Sequence, residues 1–287
     1  MKKKLFRRVA TIGVAAVLAV GATAMFSGCS TDNPEITITY TFNGKDYEVD
    51  YKLSRKSAPQ TVQHFIELAD NGYYEGLCVH DYDSANLFAG GYTYEDGTLV
   101  EKNYFEAVKD YDLTQSVFQT DDRATGMNTV YGEFSKNGVS VNGSKYTHTA
   151  GALVMYYTDK GTDNTRVYTL RSGNNEIQSN SEYKYNSATS LFYTFTGESK
   201  PASESLYCVF GMAMDFENQL NGEDGLLTAI SDFTSELSEG QSFTEEHTER
   251  NINQYDPVDS VRNAIISATF NVPIEPIIIK SVKVNKY

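Results

Sequence analysis

Two alternating runs joined at Asn43-Gly44 constrain this chain most. Ile36, Ile38, Tyr40 and Phe42 alternate with threonines, and Tyr47, Val49, Tyr51 and Leu53 alternate with charged residues. A period of two puts the apolar side chains on one face of a strand. Asn-Gly between two such runs is a strong signal for a tight β-hairpin. The next segment changes period. From Ser57 to Gly72, residues Val62, Phe65, Ile66 and Leu68-Ala69 form one apolar helical face. Ser57 is the expected N-cap, Pro59 lies in the first turn, and Asn71-Gly72 ends the helix.

Beyond the helix, short apolar segments at 77–82, 86–94, 129–134, 151–157, 166–170, 190–196 and 206–214 read as strands between Gly, Asn, Asp and Ser clusters. A second helix is expected near 223–233, with Leu226, Leu227 and Ile230 on one side. Residues 234–262 are polar, and Glu245, Glu246 and Glu249 in them read as a solvated insertion. Thr269–Val272 and Ile277–Val284 read as closing strands. Twenty-one tyrosines and no tryptophan fit this strand-rich pattern better than a helical bundle. Many strands with two clear helices predict a mainly β, barrel-like domain.

The first 28 residues read as an address. Lys2, Lys3, Lys4, Arg7 and Arg8 precede the apolar run Val9–Phe26, then Phe26-Ser27-Gly28-Cys29 and the polar Ser30–Pro34. Basic, apolar and small segments in that order are those of a secretory signal. An apolar residue, two small residues and a cysteine resemble a bacterial lipoprotein box, with Phe26 where leucine is usual. That resemblance makes Cys29 the lipidated first mature residue and 29–35 a tether. The competing reading is an uncleaved membrane helix, since 18 apolar residues lie at the lower edge of spanning length. Several acyl chains at one residue would hold durably.

The full chain carries 24 basic and 38 acidic residues, net −14. Five of the basic residues and none of the acidic ones are in the leader, which leaves 19 against 38, net −19. This excludes nucleic acid as a natural partner, because phosphate binding needs concentrated Lys and Arg. A monomer is expected. Cys78 and Cys208, 130 residues apart, form no metal-ligand spacing and read as buried free thiols, with a disulfide outside the cell as the alternative. His80, Asp81 and Asp83 could suggest a metal, but alternation sends His80 and Asp81 to opposite faces, which favours an ordinary strand and turn. No nucleophile, P-loop or dinucleotide motif is present, and no cofactor is implied.

Four segments, in order, resemble the cyclophilin family of peptidyl-prolyl isomerases. They are Ala58–Val62 running to Asn71-Gly72-Tyr73-Tyr74-Glu75-Gly76; His80 to Gly90-Gly91; His148–Met155; and Asn186–Tyr193 with Tyr207–Gly211. Pro276–Val282 resembles the family's last strand. The resemblance spans 36–287, with insertions near 159–183 and 234–268. It implies a closed eight-stranded antiparallel barrel capped by two helices. It also implies exported polypeptides or Xaa-Pro peptides as partners.

Isomerisation must overcome an amide rotation barrier of about 18–20 kcal/mol. A donor aimed at the prolyl nitrogen is felt most in the twisted transition state. The family uses an arginine there, and Asp81 stands in that position. Asn86-Leu87-Phe88-Ala89 occupies the family's Phe-Met-x-Gln stretch, Leu191 the later glutamine, and Tyr156-Tyr157 the Ala-Asn pair after Met155. Leu87, Phe192, Tyr193, Tyr156, Tyr157 and Tyr207 are the expected peptide-pocket residues, with no catalytic residue assigned. Arg123, Arg166 and Arg171 are the candidates to reach the groove from a loop. Three readings follow: a weak or inactive isomerase, a non-catalytic peptide-binding module, and a surface role for the acidic insertions.

Replacing Cys29 with serine is expected to move the protein from the membrane to the soluble fraction, which cell fractionation checks.

Overall fold

The computed structural model describes residues 32–114, 117–118, 128–134, 146–156, 166–170, 176–182, 188–197, 207–251 and 266–287. The leader, Cys29, Tyr157, Arg123 and Arg171 lie outside them. The expected hairpin is β1 (Glu35–Phe42) and β2 (Lys45–Leu53), paired in register from Glu35–Lys52 to Phe42–Lys45. Asn43 and Gly44 both have positive φ, 46° and 74°, as a two-residue primed turn requires.

Helix α1 (Pro59–Asp70) follows. It ends as expected at Asn71-Gly72, where the amides of Gly72 and Tyr73 donate to the carbonyls of Ala69 and Leu68. Its start differs. The N-cap is Ala58, with no side-chain cap of its own, and the Ser57 hydroxyl bonds Ser54 instead. A residue far along the chain takes over. The carboxylate of Glu133, only 4% exposed, accepts from the amides of Gln60 (3.1 Å) and Thr61 (2.8 Å) and from the Thr61 hydroxyl (2.9 Å). The first-turn amides of a helix have no partner inside it, and Glu133 meets two of them. This also explains why 129–134 is not a strand. Among the described residues its ladder contact is an isolated bridge between Val130 and Ala188, and the segment turns to deliver Glu133.

The remaining described elements are β3 (Val79–Asp83), β4 (Asn86–Ala89), β5 (Tyr92–Glu95), β6 (Thr98–Glu101), α2 (Tyr104–Ala107), β7 (Val117–Phe118), β8 (Ala152–Met155), β9 (Arg166–Leu170), β10 (Ile177–Glu182), β11 (Phe192–Phe195), β12 (Cys208–Ala213), α3 (Phe216–Gln219), α4 (Leu226–Glu236), β13 (Thr244–Asn251), β14 (Ile266–Pro273) and β15 (Ile278–Lys286). Gly90-Gly91 divides the expected 86–94 strand into β4 and β5. The polar insertion, read as merely solvated, contains β13, which pairs with β14 over eight residue pairs.

Eight strands form one antiparallel sheet in the order β15-β1-β2-β12-β8-β11-β4-β3. The expected closed barrel is not what forms; the sheet is curled and open. Its edges come together where β3 and β15 begin, at an isolated bridge between Cys78 and Ile278 with backbone hydrogen bonds from Gly76 to Ile279, Ile279 to Leu77 and Val79 to Ile277, and the described residues form no ladder beyond it. A register shift between Val79 and Asp81 turns β3 away after that bridge, and Asp81 bonds to β14. The two expected helices form as α1 and α4, and the described residues add two single turns, α2 and α3. No helix among these residues is long and apolar enough to cross a membrane.

The concave face encloses an aromatic core. The Phe65 ring of α1 lies 4.8 Å from Tyr74, 5.3 Å from Phe192 and 5.0 Å from Phe210. Leu226 and Ile230 of α4 join the same core, and Phe42 packs edge-on against Phe233 and Phe243. Cys78 and Cys208 are free and buried, and desolvation pushes both thiols up to about 12.

Burial raises the Glu133 carboxyl from 4.5 to about 7, against its three hydrogen bonds. A folded pKa raised in this way contributes stability below the unfolded value that is lost as pH rises through the folded one. The stability of the wild type relative to Glu133→Gln is therefore expected to fall as pH rises from 4.5 to about 7, by on the order of 3 kcal/mol. Glu133→Ala, which strands two amides, is expected to cost about 1–3 kcal/mol at neutral pH. Denaturant titrations across that range check both.

Candidate functional site

The β3–β4 hairpin positions the site. At its tip, Asp83 accepts from the Ala85 amide (2.7 Å) and the Asn86 side chain (3.0 Å), so its carboxylate closes the turn. Asp81 then faces Phe88 across the ladder. β4 pairs with β11, placing Tyr193 opposite Phe88 and Phe192 opposite Ala89. Gly90 makes this approach possible. It has φ +100°, and a Cβ there would lie 2.3 Å from the carbonyl oxygen of Ser190. The Ser190 hydroxyl donates to the Gly90 carbonyl at 2.7 Å, which holds Leu191 beside the strand end.

A pocket of about 90 Å³ opens here. Asp81, Phe88, Tyr156 and Leu191 line it together with His80 and Phe270, above Ala89 and Phe192. Alternation should part His80 from Asp81. Both reach the pocket because the register of β3 slips between Val79 and Asp81, where His80 lies. His80 is 4% exposed and sits between the rings of Tyr92 (4.9 Å) and Phe270 (5.0 Å). Burial lowers its pKa to about 3, so the ring is neutral at physiological pH. No three His, Cys, Asp or Glu side chains among the described residues are grouped to hold a metal.

Asp81 is half-buried and its Oδ1 accepts from the Asn271 amide at 2.8 Å. Burial holds its carboxyl above the usual range, partly offset by that hydrogen bond, while Asp83 pushes it further up. No cation among the described residues pairs with it. The arginine side chains described elsewhere are committed: Arg55 bonds Gln63 and Arg250 approaches Glu101. Arg166 begins β9, which pairs with β7 and β10 in a separate sheet.

The expected pocket residues divide between two faces. Leu87 is buried in the core inside the curled sheet, and Phe192 lines the pocket from that core. Tyr156, Tyr193 and Tyr207 share a cluster on the other face with Phe88, Val154 and Phe195. Phe88 stands 5.9 Å from Tyr156, perpendicular to it, and 4.8 Å from Tyr193. His148 stacks on Tyr207 at 4.2 Å and bonds the Tyr193 hydroxyl through Nε2 at 3.0 Å. Phe88 is one residue from Leu87, and the period of two was the available signal that the two point to opposite faces. Nothing local in the sequence marks Phe270 or His148 as neighbours of this site.

Residues 37–221 match the model of the family described as cyclophilin type peptidyl-prolyl cis-trans isomerase/CLD. The chain belongs to the cyclophilin-type family. Among solved structures, a Cryptosporidium parvum cyclophilin-type isomerase is similar at 13% identity and TM-score 0.40, over 89% of this chain and 99% of that one. The same parasite protein in the presence of the dipeptide Ala-Pro is 12% identical at TM-score 0.39, over 88% of this chain and 99% of that one. The mimivirus cyclophilin is 14% identical at TM-score 0.38, over 75% and 85%. No curated protein matches the chain in sequence. The family match ends at residue 221, so the β13–β14 ribbon that carries Phe270 and Asn271 lies outside the matched residues.

Asp81→Ala removes the acceptor that ties the ribbon to β3. It is expected to speed amide exchange at Asn271 and to cost about 1–3 kcal/mol. Asp81→Asn, which keeps a carbonyl acceptor, is expected to restore most of the protection, as hydrogen exchange by NMR will read.

Proposed function

We propose that this cyclophilin-family chain is a lipid-anchored, extracytoplasmic protein that binds extended or Xaa-Pro segments of exported polypeptides, with isomerase activity that is weak or absent. The anchor rests on the basic-apolar leader and Cys29, and the polar tether 29–35 sets an acidic domain just outside the membrane. The observation that carries the activity is Asp81. The family reading puts a cationic donor there, and this chain presents a carboxylate bonded to Asn271. An ionised carboxylate has no proton to offer the pyramidalising prolyl nitrogen and repels its lone pair.

Family membership favours a folding helper that turns over Xaa-Pro bonds. The aromatic pocket of Phe88, Tyr156 and Phe192 favours retention of peptide binding without that chemistry. The two readings separate in one measurement. With a proline tetrapeptide as substrate, the rate enhancement is expected to fall at least about 10²-fold below that of an arginine-bearing cyclophilin. The same peptide should still shift the NMR signals of Phe88 and Tyr156. A rate equal to the arginine-bearing enzyme would overturn the reading of Asp81.

A further inference from the structure

The pocket combines two features that are poor company without a ligand. Its walls are aromatic, from Phe88, Tyr156 and Phe270, and one wall carries the Asp81 carboxylate with no cation beside it among the described residues. A half-buried charge against apolar rings has lost much of its hydration and recovers it only through a partner. Asn271 does not saturate it, because a carboxylate offers about four lone-pair positions over its two oxygens. Asp83, two residues along the same hairpin, adds negative potential. The faces of Phe and Tyr rings also attract a cation placed within about 6 Å of their centres.

Size narrows the occupant further. The pocket, about 90 Å³, is smaller than the roughly 150 Å³ cavity that suffices for benzene. A pocket of this size suits the end of a flexible alkyl chain.

We infer that this pocket takes the cationic side chain of a lysine or arginine in the bound peptide, with Asp81 as its counter-charge. The inference rests on the peptide-binding reading above and names the ligand class. Phe270 is the wall that the β13–β14 ribbon contributes from beyond the residues matched to the family. The Asn271 amide, at 2.8 Å from Asp81 Oδ1, holds ribbon and carboxylate in place together. An arginine at position 81 would repel such a ligand, so the same substitution that removes the catalytic donor inverts the charge preference of the groove.

The test uses the full chain and three peptides, Lys-Ala-Pro-Lys, Glu-Ala-Pro-Glu and norleucine-Ala-Pro-norleucine, the last keeping the alkyl stem without its charge. Lysine is expected to bind about tenfold tighter than norleucine, with glutamate weakest. The lysine preference should shrink as ionic strength rises, and its binding should shift the ring signals of Phe88, Tyr156 and Phe270. Asp81→Asn, which keeps the acceptor for Asn271, should bring lysine and norleucine to within about twofold, the span of a few tenths of a kcal/mol. Equal affinities in the wild type, or an undiminished lysine preference in Asp81→Asn, would overturn the inference and leave peptide binding standing. Failure of all three peptides to bind would overturn both.

Discussion

The packing of Phe65 is the contact on which the rest of this structure depends. One ring on α1 meets Tyr74 from the turn after the helix, Phe192 from β11 and Phe210 from β12. Burying it requires the sheet to curl around the helix, and curling brings β4, β8 and β11 into the arrangement that forms the site. Large buried aromatics dominate core energetics through their area and their edge-to-face contacts. The helix that carries Phe65 is itself held from a distance. Its first turn has no local side-chain cap, and Glu133 supplies the acceptors across 72 residues of sequence. Core and loop 128–134 therefore stand or fall together.

The same curvature explains why the sheet does not close. β15 and β3 approach around Cys78 and Ile278, where a short bridge and three backbone hydrogen bonds form. Past that point the backbone of β3 slips register, and its next polar side chain bonds the ribbon instead of continuing a ladder. Asp81 thus has a structural use that an arginine could not fill, since an arginine cannot accept a hydrogen bond.

Much of the scaffold was legible locally. The β1–β2 hairpin, α1 and its Asn71-Gly72 end, α4 and β15 follow from period and punctuation alone. What went astray had long-range causes. Residues 129–134 look like a strand and instead deliver a cap. Residues 86–94 look continuous and are divided because Gly90 must pass within contact of Ser190. The polar stretch after residue 234 looks solvated, yet β13 finds a partner in β14, whose inner face carries Phe270 and Val272 into a small core with Tyr92 and Leu99.

By itself the sequence determined the strand-rich class and the family, because these depend on side-chain identity and short-range period. Only the tertiary structure decided that the sheet stays open, that Phe88 meets Tyr156, and that Asp81 shares its pocket with Phe270 from 189 residues away. The reason is that register slips and loop closures over such distances are set by which backbone groups and rings find partners in three dimensions. No local propensity encodes that outcome.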